Sequence, residues 1–274
     1  MWVRNALLFM LALGSALAQP PKTMRLYIID GGLIHGYPTD AFHLKKTEVA
    51  EPDMVVAAYL IVHPKGTLMW DSGAIRDSDI KGDGTPTTRS YFTASKTLKS
   101  QLAAIGYAPK DITYFSLSHF HGDHTANAND FAGATWIVQA PEREAMFSEK
   151  TPAAQQANYK ALKDAKTKIL NGEDYDVFGD GTVVIKAAYG HTPGHQVLYV
   201  KLAKTGPIVL AGDLFHYQEE RGTDKTPTFE FSREQSLASR EKIEAFCKKT
   251  GAPLWIEHDF TNFKKQKHAP DFYE

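Results

Sequence analysis

The segment Ser118-His119-Phe120-His121-Gly122-Asp123-His124 constrains this chain more than any other stretch of it. Three histidines and an aspartate within six positions are hard to justify as core packing. A β-rich run, Ile112 to Leu117, leads directly into them. The fold must therefore carry these residues from a strand into a loop, where side chains can be presented. Imidazole nitrogens and a carboxylate are the ligand set of zinc and similar borderline metals. In an extended stretch His119 and His121 point to the same side, because side chains alternate with period two. Gly122 lets the chain turn, so that Asp123 and His124 can face an adjacent second site.

Around this segment, β-rich runs alternate with helical patterns. Arg25 to Ile29, Met54 to Val62 and Thr67 to Trp70 read as strands, the last two joined by a Pro64-Lys65-Gly66 turn. Leu98, Leu102 and Ile105 fall at helical spacing before a Gly106 stop. Thr135 to Val138, Thr182 to Ala187, Val197 to Leu202, Ile208 to Leu210 and Leu254 to Ile256 are further strand candidates. Ser232 and Gln235 form a capping-box pattern opening a helix whose apolar face includes Ile243, Phe246 and Cys247, closed by Gly251-Ala252-Pro253. The polar stretch from Pro141 to Glu173 reads as helical. Such alternation favours an α/β layered domain, although periodicity does not choose its topology.

The N-terminus reads separately. Met1 to Arg4 carry positive charge, Ala6 to Leu13 are apolar, and Ala16-Leu17-Ala18 is a small-x-small cleavage pattern. That layout is a secretory signal peptide over residues 1–18, too short in its apolar run to be a membrane anchor. The expectation is a protein exported to the periplasm or secreted, with one domain over residues 19–274. Cys247 is the only cysteine, so the exported domain must be stable through its core and any metal, not a disulfide. A formal net charge of −1 gives no electrostatic case for nucleic acid or an anionic membrane, and points weakly to a small, near-neutral substrate.

Taken with three later segments, His119 to His124 resembles the His-x-His-x-Asp-His signature of the metallo-β-lactamase superfamily. Gly190-His-Thr-Pro-Gly-His195 resembles the family's next metal motif, Leu210-Ala-Gly-Asp213 its bridging carboxylate, and Glu257-His-Asp259 its last ligand position. The likeness runs in the family's order from Leu68-Met-Trp-Asp-Ser-Gly73 to His258. It implies an α/β fold of the αββα type, two β-sheets packed face to face with helices on the outer faces. It also implies two zinc ions per chain, other divalent metals such as iron, manganese or cobalt being compatible. His119, His121 and His191 would take one ion and Asp123, His124 and His258 the other, with Asp213 bridging. Asp71 stands where the family places a carboxylate that orients a metal-bound histidine. His195 either supports the bridging carboxylate or ties its own turn.

The bridging Asp213 is unlike the β-lactamases proper. Charge and export count against an RNase Z, and the short tail after Asp259 against a glyoxalase II. The ligand order and the His258-Asp259 pair are similar to acyl-homoserine lactonases. That likeness implies lactone-ring opening, a quorum-quenching activity, by a metal-bridging hydroxide, with Asp123 passing a proton to the leaving alkoxide. In several such enzymes a tyrosine three residues after the bridging aspartate assists the carbonyl. Here that position is His216 and the tyrosine is Tyr217, so either one is the candidate. Organophosphate or β-lactam hydrolysis is the alternative, and a non-catalytic periplasmic metal-binding module ranks last. Phe42, Tyr91, Phe92, Phe229 and Phe231 are candidates for an acyl pocket or for ordinary packing. The expected partner is a small-molecule substrate, with a homodimer left open.

Overall fold

The chain opens on two antiparallel strands, β1 (Arg25–Ile34) and β2 (Met54–His63), in the computed structural model, which describes residues 21–82 and 84–274. The segment expected to be a signal peptide, residues 1–18, lies outside the described residues. Every position of β2 is buried, as befits a central strand covered on both faces. The Pro64-Lys65 turn leads into β3 (Gly66–Trp70), antiparallel to β2. Two short strands, β4 (Thr87–Arg89) and β5 (Phe92–Ala94), extend the edge beside β1. Beyond β3 the sheet turns parallel, through β6 (Tyr114–Ser116), β7 (Thr135–Gln139) and β8 (Thr167–Leu170). The strand order is β4-β5-β1-β2-β3-β6-β7-β8.

A second sheet holds β9 (Tyr175–Asp176), β10 (Val183–Ala187), β11 (Gln196–Leu202), β12 (Gly206–Leu210) and β13 (Leu254–Trp255), in the order β13-β12-β11-β10-β9. The period-two alternation of the strands explains the layering. Leu26, Ile28, Tyr59, Ile61 and Trp70 pack against Ile185, Leu198, Val200 and Leu210 of the second sheet. Their neighbours Tyr27, Ile29, Leu60 and Met69 face the other way, onto α1 (Leu98–Ala104) through Leu98 and Leu102. The outer face of the second sheet is closed by Ile243 and Cys247 of an 18-residue helix, Arg233–Thr250, packed on Val197 and Val209. The Ser232 hydroxyl accepts the Gln235 N–H at its start, and Gly251 ends it in the left-handed conformation at φ 70°. The result is the four-layer α/β sandwich.

Two local readings are corrected. The stretch from Pro141 to Glu173 is not helical throughout: it holds α-helix over Ala140–Met146 and Ala153–Gln156, a 3-10 turn, and then strand β8. Strand β8 is a sheet-edge strand whose Lys168 and Ile169 are exposed, so it lacks the apolar run that marks a buried strand. Gly122 opens a one-turn helix, α2 (Gly122–Thr125), where a β-carbon would meet nothing within 4 Å. The bend there does not need glycine's conformational freedom. Among the described residues, no helix is long and apolar enough to cross a membrane.

Candidate metal centre

The candidate ligands converge because they sit at the C-terminal ends of strands or in the turns that follow. In open sheets with parallel strands, this is where loops leave a crevice. Asp71 follows β3, His119 to His124 follow β6, Asp213 follows β12, and His258 follows β13. The turn between β10 and β11 carries His191.

Asp213 is the centre of this convergence. One carboxylate oxygen, Oδ2, lies 3.5 Å from His119 Nε2 and 3.3 Å from His191 Nε2, and His121 Nδ1 is 3.0 Å from His191 Nε2. The other, Oδ1, lies 3.1 Å from both His124 Nε2 and His258 Nε2. Asp123 Oδ2 closes that second group at 3.6 Å from each of those two nitrogens. All seven residues marked as ligands are thus brought together, in two groups that share Asp213.

These atoms suit metal ions. His119 Nε2, His124 Nε2 and Asp213 Oδ1 are buried yet make no hydrogen bond within the protein. Buried polar groups ordinarily have partners, so converging lone pairs of this kind need something cationic between them. Burial holds the His119 and His121 imidazoles well below their usual pKa, which favours the neutral, coordinating form. Burial opposes the charge on Asp213, but His258, His124, His119 and His216 around it keep its carboxyl well below the ordinary range.

Supporting groups fix the ring orientations. Asp71, in the left-handed region at φ 60°, accepts the Ser118 N–H with Oδ1 at 2.7 Å and faces His124 Nδ1 with Oδ2 at 3.1 Å. His258 Nδ1 donates to the Val55 carbonyl at 2.7 Å. His195 ties its own turn and holds the backbone of Asp213, not its carboxylate. Its Nδ1 donates to the Ala188 carbonyl across its own turn, and its Nε2 accepts the Asp213 N–H at 3.0 Å. Burial pushes its pKa down to about 3, so it stays neutral for that task.

Comparison with known proteins settles the lineage. Residues 52–250 match the family model described as the metallo-beta-lactamase superfamily. The chain belongs to that superfamily. Among its relatives, the N-acyl homoserine lactonase AttM of Rhizobium radiobacter is 30% identical, over 91% of this chain and 98% of that protein. The AttM lactonase of Azorhizobium caulinodans is 29% identical, over 92% of this chain and 99% of its own. Among solved structures, an N-acyl homoserine lactone hydrolase with N-hexanoyl-L-homoserine at its catalytic metal centre superposes with a TM-score of 0.73. That pair shares 25% identity, over 91% of this chain and 99% of the other.

Within this superfamily fold, His216 and Tyr217 part company. His216 Nε2 lies 3.2 Å from Asp213 Oδ2, and its ring borders the cavity above the cluster. Tyr217 points the opposite way, into an apolar group with Phe42 and Met54, and its hydroxyl donates to the Pro52 carbonyl at 2.9 Å. Adjacent residues of an extended segment diverge in this manner. The cavity, of about 190 Å³, is walled by Tyr37, Phe42, Phe92 and Phe229 together with Ile34 and Met54. Of the other aromatic candidates, Tyr91 stacks edge-on against Tyr37, and Phe231 is 60% exposed.

The sequence reading missed three buried acids and one tyrosine. Glu142 accepts hydrogen bonds from the Phe120 and Gly194 N–H groups and the Thr192 hydroxyl, so it ties together the two loops that carry His119, His121 and His191. Burial pushes its carboxyl up to about 7. Glu230 faces His191 Nδ1 at 3.4 Å, and Glu257 faces His124 Nδ1 at 3.7 Å. Neither Glu142 nor Glu230 has a local sequence signal. Glu257 had one, its place beside His258. Tyr37, in the cavity wall, had none.

Proposed function

We propose that this protein is a dinuclear zinc hydrolase that opens the lactone ring of N-acyl homoserine lactones. The observation that carries this reading is Asp213, whose two oxygens face two separate imidazole groups on the floor of an apolar, aromatic-walled cavity. His119, His121 and His191 would hold one ion, Asp123, His124 and His258 the other, and Asp213 both. Two zinc ions there would supply Lewis-acid polarisation of a carbonyl and a nucleophile drawn from water at neutral pH. The relatives named as lactonases support the choice of substrate.

The protein's own groups then have distinct tasks. The aromatic wall excludes water and seats the acyl chain, which gains about 25 cal/mol per Å² of apolar surface buried. His216 presents Nε2 beside Asp213, within reach of a carbonyl oxygen as it gains charge, and Glu220 stands 3.6 Å behind its Nδ1. Burial opposes a charged His216, but in the metal-free protein Asp213 and Glu220 raise its pKa to about 10. Asp123 would take the proton released by the attacking water and pass it to the leaving alkoxide. Tyr217, engaged with Pro52, serves the loop and not the carbonyl.

Elemental analysis of the fully loaded protein tests the metal reading: two ions per chain are expected, and fewer after Asp213→Ala. One ion or none in the wild type overturns it. Turnover of a lactone beside a β-lactam and an aryl phosphotriester tests the substrate class. Export over residues 1–18 belongs to the same proposal. N-terminal sequencing of fractionated protein should begin at Gln19, and a mature chain that retains Met1 rejects it.

A further inference from the structure

Tyr37 stands out among the groups facing the cavity. Its ring is clasped edge-on or tilted by Phe42 at 5.8 Å, Tyr91 at 5.1 Å and Phe229 at 6.3 Å, and it lines the same cavity as Asp123 and His216. Three aromatic contacts from three different segments leave the phenol little freedom. The Tyr37 hydroxyl makes no hydrogen bond to the described protein, in contrast to Tyr217, which is bound to Pro52. A held phenol with a free hydroxyl in a cavity wall is a donor waiting for an acceptor on a ligand.

Its depth in the cavity suggests which acceptor. The reacting carbonyl has to lie against Asp213 and His216, which are 3% and 2% exposed. Tyr37 touches both Tyr91, 41% exposed at the rim, and Phe42, 1% exposed and 4.7 Å from the His216 ring. Burial first, then Tyr91 and Asp123, raise its pKa, which keeps the phenol protonated. The Tyr37 ring therefore spans the cavity wall between floor and rim. In an N-acyl homoserine lactone, the group between the ring and the acyl chain is the amide.

We propose that the Tyr37 hydroxyl donates a hydrogen bond to the acylamido carbonyl of the substrate, making Tyr37 the residue that selects acylamido lactones over plain lactones. This assignment rests on the lactonase reading above. It predicts uniform binding, held alike in ground and transition states, because the amide takes no part in the bond changes. Losing the bond should thus raise KM and leave kcat nearly unchanged.

The test compares wild type with Tyr37→Phe on two substrates, N-hexanoyl homoserine lactone and a γ-alkyl butyrolactone that lacks the amide. Metal content and melting temperature of both proteins are measured alongside. For the acylamido substrate, kcat/KM should fall about tenfold through KM, the effect of one hydrogen bond worth roughly 1.4 kcal/mol. For the plain lactone it should stay within twofold. An equal loss on both substrates, a loss confined to kcat, or no loss on either overturns the assignment while the lactonase reading stands. A metal-loaded wild type that opens neither lactone overturns both.

Discussion

At the scale of single residues, the site separates groups that sequence alone leaves tied. His216 and Tyr217 are neighbours in the chain, but only His216 reaches Asp213. His216→Ala should therefore lower kcat by about 10²–10³, the usual loss for one oxyanion donor, with metal content unchanged. Tyr217→Phe should keep kcat within about twofold and instead lose about 1 kcal/mol of stability, the worth of its bond to Pro52. Steady-state kinetics and urea unfolding of both variants check this pair. Unchanged lactone turnover in metal-loaded His216→Ala would remove the donor role. The seven candidate ligand positions were legible because each stands in a short motif with its own residue pattern. Glu142, Glu230 and Tyr37 were not, because what they do depends on distant partners: Phe120 and Gly194 lie 22 and 52 positions from Glu142, His191 39 from Glu230, and Tyr91 and Phe229 54 and 192 from Tyr37.

At the scale of elements, the loops that hold the cluster are braced by one another more than by the strands that launch them. Glu142, on the Ala140–Met146 helix, receives bonds from the loop after β6 and from the β10–β11 turn. Gly190 starts that turn at φ 136°, and a β-carbon there would come within 2.1 Å of Ser236 N on the Arg233–Thr250 helix. The turn is thus pinned between two helices. Removing the Glu142 brace leaves two N–H groups without acceptors in a largely buried place, each worth about 1–3 kcal/mol. Glu142→Ala should lower unfolding stability by at least about 2 kcal/mol and weaken metal binding, with Glu142→Gln milder because it keeps one acceptor. Urea titration at saturating metal measures the first effect and competition with a chelator the second. Wild-type values for Glu142→Ala would show that the two loops hold themselves.

At the scale of the whole molecule, the two largest apolar cores and the polar cluster are separate structures. The inter-sheet core and the core under α1 contain none of the proposed ligands. Stripping metal with a chelator should therefore leave the far-UV spectrum folded while lowering the melting temperature. Metal that binds only the folded state adds about 2.7 kcal/mol at a free concentration 100 times its Kd. A melting temperature indifferent to metal would argue against a resident ion. What the sequence determined by itself was what local pattern can encode. Period-two strands and the capped helix after Ser232 indicated an α/β layered domain, and four ligand motifs in order led, by resemblance, to the family and its sandwich. What only the tertiary structure decided was which side chains meet. The side of the chain on which His216 and Tyr217 fall, the carboxylates that orient His191 and His124, and the wall that holds Tyr37 all follow from how two sheets stack. Contacts between segments far apart in sequence leave no periodic trace in either one. They exist only once burial of the apolar faces has brought the strand ends together.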